Sequence, residues 1–420
     1  MGQKQDVYET VVIEKLVHGG QGLGTLEDGR KAFIWNALPG EKVKARITKK
    51  KKDFVEGIAE DIEEPSQQRI EPKESIYLAT SPWQMMTLDA ENNHKKSIVI
   101  ETFQREGVKL PKFEMTSDGN EFGYRNKMEF SFYGDEEGLH YAFYNRGTHQ
   151  KQIVTGSALA IPAINEAAKN LLVELNKIKI RASDLKSVIL RCTQEGKTVG
   201  ALFVKPLVFP KISLPAGLSG IKIFHSNPRS PASVATKLLR TIGDTDLSDN
   251  LIGTLISYDV IGFFQVNLPV FEQALKKIEY YTSGSEHKVD MYSGVGTIGV
   301  PIGGTKTLVE LDLANVAMAR QNVGNQDIAV VQASSETALE YITADSCLIV
   351  DPPRSGLHKD VVNRILEQKP KKFCYLSCNP STQARDTALL LEQYKITAFE
   401  GYNFFPRTPH IESLVVLELK

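Results

Sequence analysis

The residues whose types and spacing suit chemistry lie late in this chain of 420 residues. Cys378 stands in Ser377-Cys378-Asn379-Pro380, directly before a helical pattern. A thiol at a helix N-terminus is expected to have a lowered pKa and a stabilised thiolate, so Cys378 is a candidate nucleophile. Cys347 and Cys374 lie inside apolar strand patterns and read as small buried hydrophobes. Asp351 opens Asp351-Pro352-Pro353-Arg354, a carboxylate on a stiff, φ-restricted turn. Gly294-Val295-Gly296-Thr297-Ile298-Gly299 matches G-x-G-x-x-G; glycines in such a loop bring backbone N–H groups up to a ligand. Glu310 ends the strand that follows and suits the two hydroxyls of an adenosine ribose. That pairing fits NAD or S-adenosylmethionine alike. Its spacing falls short of the ~20 residues of the dinucleotide fingerprint.

The elements that must position these residues alternate in type. Strand patterns at 288–291, 307–312, 329–332, 346–350 and 372–376 are separated by helical patterns at 314–323 and 359–368 and followed by one at 382–394. A further helix is expected directly after the glycine loop. Two closing strands lie near 397–402 and 413–419. Alternation of this kind predicts βαβ units and a doubly wound, mostly parallel sheet, with ligands at the C-terminal strand ends.

The first 60 residues read differently. Short strands at 8–16, 31–35, 42–48 and 54–59 surround a glycine-rich turn, HGGQGLG, which suggests a small barrel of oligonucleotide-binding type. From Glu41 to Lys52 there are seven basic residues, ending in Lys49, Lys50, Lys51 and Lys52. The run is either a solvated hairpin tip or a face that meets phosphates. Residues 60–72 carry two prolines and many charges, as a linker would. The middle of the chain is α+β: a helix near 90–107, a strand over 122–132 carrying Arg125, Asn126 and Lys127, its partner at 138–144, a helix over 163–178, and strands at 187–192, 198–204 and 220–225.

Composition narrows the class. Apolar residues make up 41% and charged ones 24%, which supports several buried cores. Fifty basic residues against 51 acidic ones leave a net charge of −1, which does not exclude a polyanionic partner because location matters more than the sum. Four cysteines are too few for a disulfide framework, and no signal-peptide or membrane-spanning stretch is evident. Gly2 invites myristoylation, but Asp6 breaks the motif. Secreted, transmembrane and disordered classes are set aside, and a cytoplasmic monomer is the default.

Several runs together resemble one family, the RNA 5-methyluridine methyltransferases: DMYSGVGTIGVPI, LIVDPPRSGL, FCYLSCNPSTQARD, FPRTPHIESLVVLEL, FQVN ahead of the first sheet strand, and YRNKMEF in the middle. Residues 1–60 look like the TRAM module of that family. The resemblance implies a class I S-adenosylmethionine-dependent methyltransferase fold over 259–420, a TRAM barrel over 1–62 and a central α+β RNA-binding domain over 63–258. It implies that Cys378 adds to carbon 6 of uracil. Carbon 5 then takes the methyl group, and Glu412 removes the carbon 5 proton from within an apolar pocket to which Phe404, Phe405, Pro406 and Pro409 contribute. Gln265, Tyr292, Glu310 and Asp351 match the cofactor ligands, with Gly294, Gly296, Thr297 and Ser334 nearby. RNA contacts are expected from Lys49, Lys50, Lys51, Lys52, Arg125, Lys127 and Arg354.

One departure stands out. Many members hold an iron–sulfur cluster on four cysteines between TRAM and the catalytic domain; here Leu78 and Ser81 occupy such places and no cysteine precedes Cys192. No cluster and no other metal are expected, and Trp83, Met85 and Met86 are expected to pack this region instead. Ribosomal RNA is favoured as substrate through the TRAM-like module, with the T-loop of transfer RNA as the alternative. An NAD(P)-dependent oxidoreductase and a catalytically silent RNA-binding protein are competing readings. The first leaves Cys378 and the Asp-Pro-Pro loop unexplained, and the second leaves Cys378 and Glu412 without a purpose.

Overall fold

The computed structural model describes residues 6–148 and 150–420, which divide into two compact units. Of the described residues, the first comprises those up to 102, those within 144–152 and 405–411, and the second 103–143, 153–404 and 412–420.

In the first unit, β1 (Tyr8–Leu16), β2 (Gly22–Thr25), β3 (Lys31–Trp35), β4 (Lys42–Lys50) and β5 (Phe54–Glu64) close a barrel in the order β1-β2-β3-β5-β4. Alternating residues Val11, Ile13, Ala32, Ile34, Val43, Ala45 and Val55 fill it. Strand β2 emerges from what reads as a turn. A Cβ at Gly24 would lie 2.4 Å from the carbonyl oxygen of Val12, so glycine permits the close pairing. Lys49 and Lys50 end β4, and Lys51 and Lys52 begin the turn to β5. The Lys49 ammonium pairs with Glu56 at 2.5 Å, while all four lysines remain exposed.

Helices α1 (Tyr77–Thr80) and α2 (Leu88–Arg105) follow. Between them Trp83, Met85 and Met86 are buried, as expected, and the Trp83 indole N–H donates to the Gly20 carbonyl at 3.0 Å. Ser81 is buried too, its hydroxyl accepting from the Gln84 amide at 2.7 Å. Among the described residues, no three His, Cys, Asp or Glu side chains are grouped to hold a metal.

The second unit contains two large sheets and a two-stranded one. After β6 (Met115–Thr116) come β7 (Lys127–Asp135), β8 (Gly138–Tyr144), β9 (Lys151–Val154), α3 (Pro162–Lys177), β10 (Leu185–Cys192), β11 (Thr198–Val204), β12 (Gly220–His225) and β13 (Lys237–Gly243). The seven strands order as β13-β12-β11-β10-β7-β8-β9, with β14 (Leu247–Leu251) and β15 (Thr254–Tyr258) forming a separate hairpin. The strand expected at 122–132 starts later, at Lys127. Arg125 and Asn126 precede it because their backbone N–H groups go to Leu159 and Val266 rather than to a sheet neighbour.

The second large sheet carries the chemistry. It is built from α4 (Leu268–Thr282), β16 (His287–Met291), β17 (Thr305–Glu310), α5 (Leu313–Val323), β18 (Ile328–Gln332), β19 (Ser346–Val350), α6 (Lys359–Gln368), β20 (Lys372–Ser377), α7 (Pro380–Leu390), β21 (Tyr394–Tyr402) and β22 (Glu412–Leu419). Its order, β18-β17-β16-β19-β20-β22-β21-β6, is parallel from β18 to β20, and β22 runs antiparallel. The order reverses direction at β16, flanked by β17 and β19, which is the switch point where doubly wound sheets open a crevice. One expectation fails: no regular helix joins β16 to β17. Residues 294–304 form a series of turns. Five glycines and Pro301 in that stretch destabilise a helix, and the Gly299 N–H is taken by the Asp290 carboxylate at 2.8 Å. Among the described residues, no helix is long and apolar enough to cross a membrane.

Candidate active site

The register of β20 on β22 brings the two candidate reacting side chains together. Ser377 pairs directly with Ser413, so Cys378, one residue past β20, and Glu412, the first residue of β22, occupy the next rung. Cys378 is half-buried and Glu412 is 6% exposed. Arg354, from the turn after β19, hydrogen-bonds to Cys378. The Asn379 amide donates to the Arg354 carbonyl at 2.7 Å and holds that turn against the nucleophile.

The thiol is not acidified. Burial, then the negative charges of Glu412 and Asp351, push its pKa up to about 11, opposed by Arg354. This corrects the expectation from the helix N-terminus. Helix α7 begins only at Pro380, and the Asn379 side chain takes the N–H of Ser381 at 3.1 Å, so a first-turn donor is committed to Asn379 rather than to sulfur. Desolvation and two carboxylates outweigh the helix end.

At the switch point the groups face inward from three strands. One oxygen of Glu310 accepts from Gly294 N–H at 2.9 Å and the other from Asp312 N–H at 2.8 Å, so the carboxylate is fixed before any ligand arrives. Gly294 has φ of 57°, and a Cβ there would meet no protein atom within 4 Å. The Asp351 carboxyl is pushed up to about 7 by burial alone. Gln265 is 7% exposed, and the Asn126 side chain, which donates to the Gln265 carbonyl at 3.0 Å, fixes its backbone. Two residues on, Asn267 is buried with both amide atoms lacking a partner.

Tyr292 adopts φ of 63°, and its hydroxyl engages the side chain of Ser335 and the backbone of His358. With Glu336, Leu357 and Asp386 these residues line a cavity of about 490 Å³. Ser334 bonds to Thr337 at 3.0 Å, so the neighbouring Ser335 is the residue that meets Tyr292. Thr297 lies in the turns after β16, half-buried.

Of the expected RNA contacts, Arg354 belongs with Cys378. Arg125 lies directly before β7, and burial with the neighbouring Arg191 charge drops Lys127 to about 8. Sequence reasoning missed Ser335, and Gln383 of α7, whose side-chain amide bonds to Tyr375 and Ser413. Each is a polar residue inside an otherwise ordinary loop or helix, and the partners that give it meaning come from distant segments.

Residues 340–420 match the family described as tRNA (uracil-5-)-methyltransferase, and residues 7–59 match the TRAM domain. A Listeria innocua protein named as an uncharacterized RNA methyltransferase is 29% identical over 98% of this chain and 97% of its own. A Thermotoga maritima protein of the same name is 26% identical over 97% and 98%. The crystal structure of the Pyrococcus abyssi tRNA (uracil-54, C5)-methyltransferase in complex with S-adenosyl-L-homocysteine superposes with a TM-score of 0.79 at 23% identity, over 97% of this chain and all of that one, which establishes a common fold. The TRAM match falls on the barrel and the uracil-5-methyltransferase match on the doubly wound sheet, and both relatives, which match over nearly their whole length, are named as RNA methyltransferases.

Proposed function

We propose that this enzyme transfers a methyl group from S-adenosylmethionine to carbon 5 of a uridine in RNA, with Cys378 as nucleophile and Glu412 as base. The observation that carries the reading is the pairing of Ser377 with Ser413, which sets a thiol and a buried carboxylate on adjacent strand ends. The residues at the switch point fit the methyl donor: Glu310 is held ready for ribose hydroxyls, Gly294 leaves open space beside it, and Asn267 has two buried amide atoms without partners. Gln265, Tyr292, Glu310 and Asp351 would hold it. When bound, it supplies an electrophilic methyl group.

The chain's own part is proton and electron bookkeeping. A thiol at about pKa 11 is mostly protonated near neutral pH, so its proton must leave before or during attack, and the Arg354 guanidinium stabilises the thiolate that results. Addition of Cys378 sulfur to carbon 6 moves electron density to carbon 5, which would take the methyl group as the methyl–sulfonium bond of the bound donor breaks and its electron pair leaves with S-adenosylhomocysteine. Glu412 accepts the carbon 5 proton, the carbon–sulfur bond breaks, and Cys378 leaves as thiolate. The uridine must swing out of its stack to reach this rung.

The substrate is proposed as ribosomal RNA, with Lys49, Lys50, Lys51, Lys52, Arg125 and Lys127 as phosphate contacts, acting in a cytoplasmic monomer of three modules (1–62, 63–258, 259–420). A transfer RNA T-loop is the second reading, favoured by the full-length likeness to a tRNA (uracil-54, C5)-methyltransferase. The test uses unmodified transcripts of both RNAs with S-adenosylmethionine, reading 5-methyluridine by mass spectrometry. A protein–RNA adduct on 5-fluorouridine transcripts that survives a denaturing gel is expected. Methylation without Cys378, or none on either RNA, would falsify the reading.

A further inference from the structure

The rung that holds Cys378 and Glu412 lies just past the last paired residues of β20 and β22, at a strand end where local opening costs least. One side chain closes that end. Gln383, in the first turns of α7, is fully buried, and its amide spans both strands. Nε2 donates to the Tyr375 carbonyl of β20 at 2.8 Å and to the Ser413 carbonyl of β22 at 3.0 Å, while Oε1 accepts from the Ser413 hydroxyl at 2.6 Å. Tyr375 is three residues before the nucleophile, and Ser413 directly follows the base. Helix α7 itself starts two residues after Cys378. Every polar atom of the Gln383 side chain is thus spent on fixing the nucleophile's strand, the base's strand and the helix between them.

We propose that Gln383 is a positioning residue that sets the placement of Glu412 relative to Cys378 and so controls the proton-removal half of the reaction. The proposal rests on the functional reading above. It differs from a stability role in what it predicts. Attack by Cys378 and methyl transfer need only the nucleophile and the donor. Removal of the carbon 5 proton needs Glu412 in register, and only after that step does the carbon–sulfur bond break. Loosening the Ser413 end therefore slows release more than attack, and covalent enzyme–RNA intermediate accumulates on ordinary uridine RNA.

Gln383→Leu keeps the volume and removes all three bonds; Ser413→Ala removes one and leaves the packing. The wild-type enzyme is first shown to methylate an unmodified 23S ribosomal or transfer RNA transcript. In Gln383→Leu, kcat is expected to fall ~10–100-fold, as for an ångström-scale misplacement, with KM and S-adenosylhomocysteine affinity within about twofold. The fraction of enzyme trapped on uridine RNA in a denaturing gel is expected to rise. Ser413→Ala is expected to do the same more weakly, and the double variant to be no worse than Gln383→Leu. Unchanged kcat, or a trapped fraction falling in step with kcat, overturns the proposal. If Gln383→Leu does not fold, Ser413→Ala decides by the same measurement. A wild-type enzyme that methylates neither RNA overturns the functional reading, and this proposal with it, before any variant is made.

Discussion

The loop after β16 and the junction of β20 with β22 use polar groups in opposite ways. In the loop, acidic side chains hold glycine N–H groups: the Glu310 carboxylate takes Gly294 and the Asp290 carboxyl takes Gly299. Glu310 accepts one backbone N–H on each oxygen, and both side-chain amide atoms of Asn267, at the start of α4, are buried without a hydrogen bond. At the junction, side-chain amides hold carbonyls, with Asn379 on Arg354 and Gln383 on Tyr375 and Ser413, and the Gln383 amide is fully used. The first region is a receptive surface that is completed by a ligand; the second is a frame completed by itself. Binding and bond-making are thus separable in this molecule, and variants should separate them.

The largest effects belong to the frame. Cys378→Ala should lower methyl transfer by at least ~10⁴-fold, the scale on which a lost nucleophile acts, and abolish adduct on 5-fluorouridine RNA while leaving S-adenosylhomocysteine binding intact by calorimetry. Glu412→Gln should slow turnover ~10²–10⁴-fold, as removal of a general base does, yet still form the adduct. If Glu412→Gln also loses the adduct, the division of labour between thiol and carboxylate is wrong.

Next comes the receptive surface. Glu310→Ala removes charge-assisted bonds and releases the Gly294 and Asp312 N–H groups, so S-adenosylhomocysteine affinity should drop ~10–100-fold, on the basis of ~1.5–3 kcal/mol for such a bond. At saturating donor, kcat should change little, because binding lost equally in ground and transition states raises KM alone. A kcat loss as large as that of Glu412→Gln would erase the contrast between the two regions.

The state of the thiol gives a third, smaller test. Because burial and two carboxylates push Cys378 up to about 11, its alkylation by iodoacetamide in the free enzyme should rise ~tenfold per pH unit from 7 to 9 without a plateau. Cys192, Cys347 and Cys374 are buried and should stay silent. Replacement of Arg354 by Met removes the opposing charge and should slow alkylation at every pH. A plateau near pH 7 would mean an acidified thiol and would restore the helix-terminus argument.

Much of this was legible in the chain, for physical reasons that also explain the gaps. Barrel strands such as β1 and β3 were readable because one face is buried and the residues alternate. Cys378 was readable from its place directly before a helix, whereas Glu412 was readable only through family motifs. Their adjacency depends on a strand register between distant segments, and the thiol's raised pKa depends on charges that the register delivers. The hairpin of β14 and β15 was missed because its two-residue turn uses Ile252 at φ of 44° before Gly253, a conformation β-branched residues rarely adopt. Strand β13 was missed because it is an edge strand, mostly exposed, without alternation. The absent helix after β16 was a matter of competing signals, in which glycine and proline content outweighed the motif.

Asp290 offers the gentlest way to probe the receptive loop, through stability rather than activity. Its carboxyl is buried at the end of β16, with one oxygen bound by Gly299 N–H and the other without a partner. Burial, helped by the charges of Asp351 and Glu310, pushes it up to about 8, against the Gly299 N–H and Lys306. The sign follows. In the unfolded chain this acid ionises near pH 4, whereas in the fold it stays protonated until about 8. Its favourable contribution is therefore complete below pH 4 and is lost progressively as pH rises to 8. Asp351, raised to about 7, adds a slope in the same direction over a slightly narrower window. Asp290→Asn keeps an acceptor for Gly299 and cannot ionise. Melting temperature should therefore fall more between pH 5 and 8 for wild type than for Asp290→Asn, by a few degrees, with the residual slope in the variant belonging to Asp351 and other groups. Equal slopes would mean that the loop opens enough to solvate Asp290, and the preformed cradle at Gly294 would lose its support.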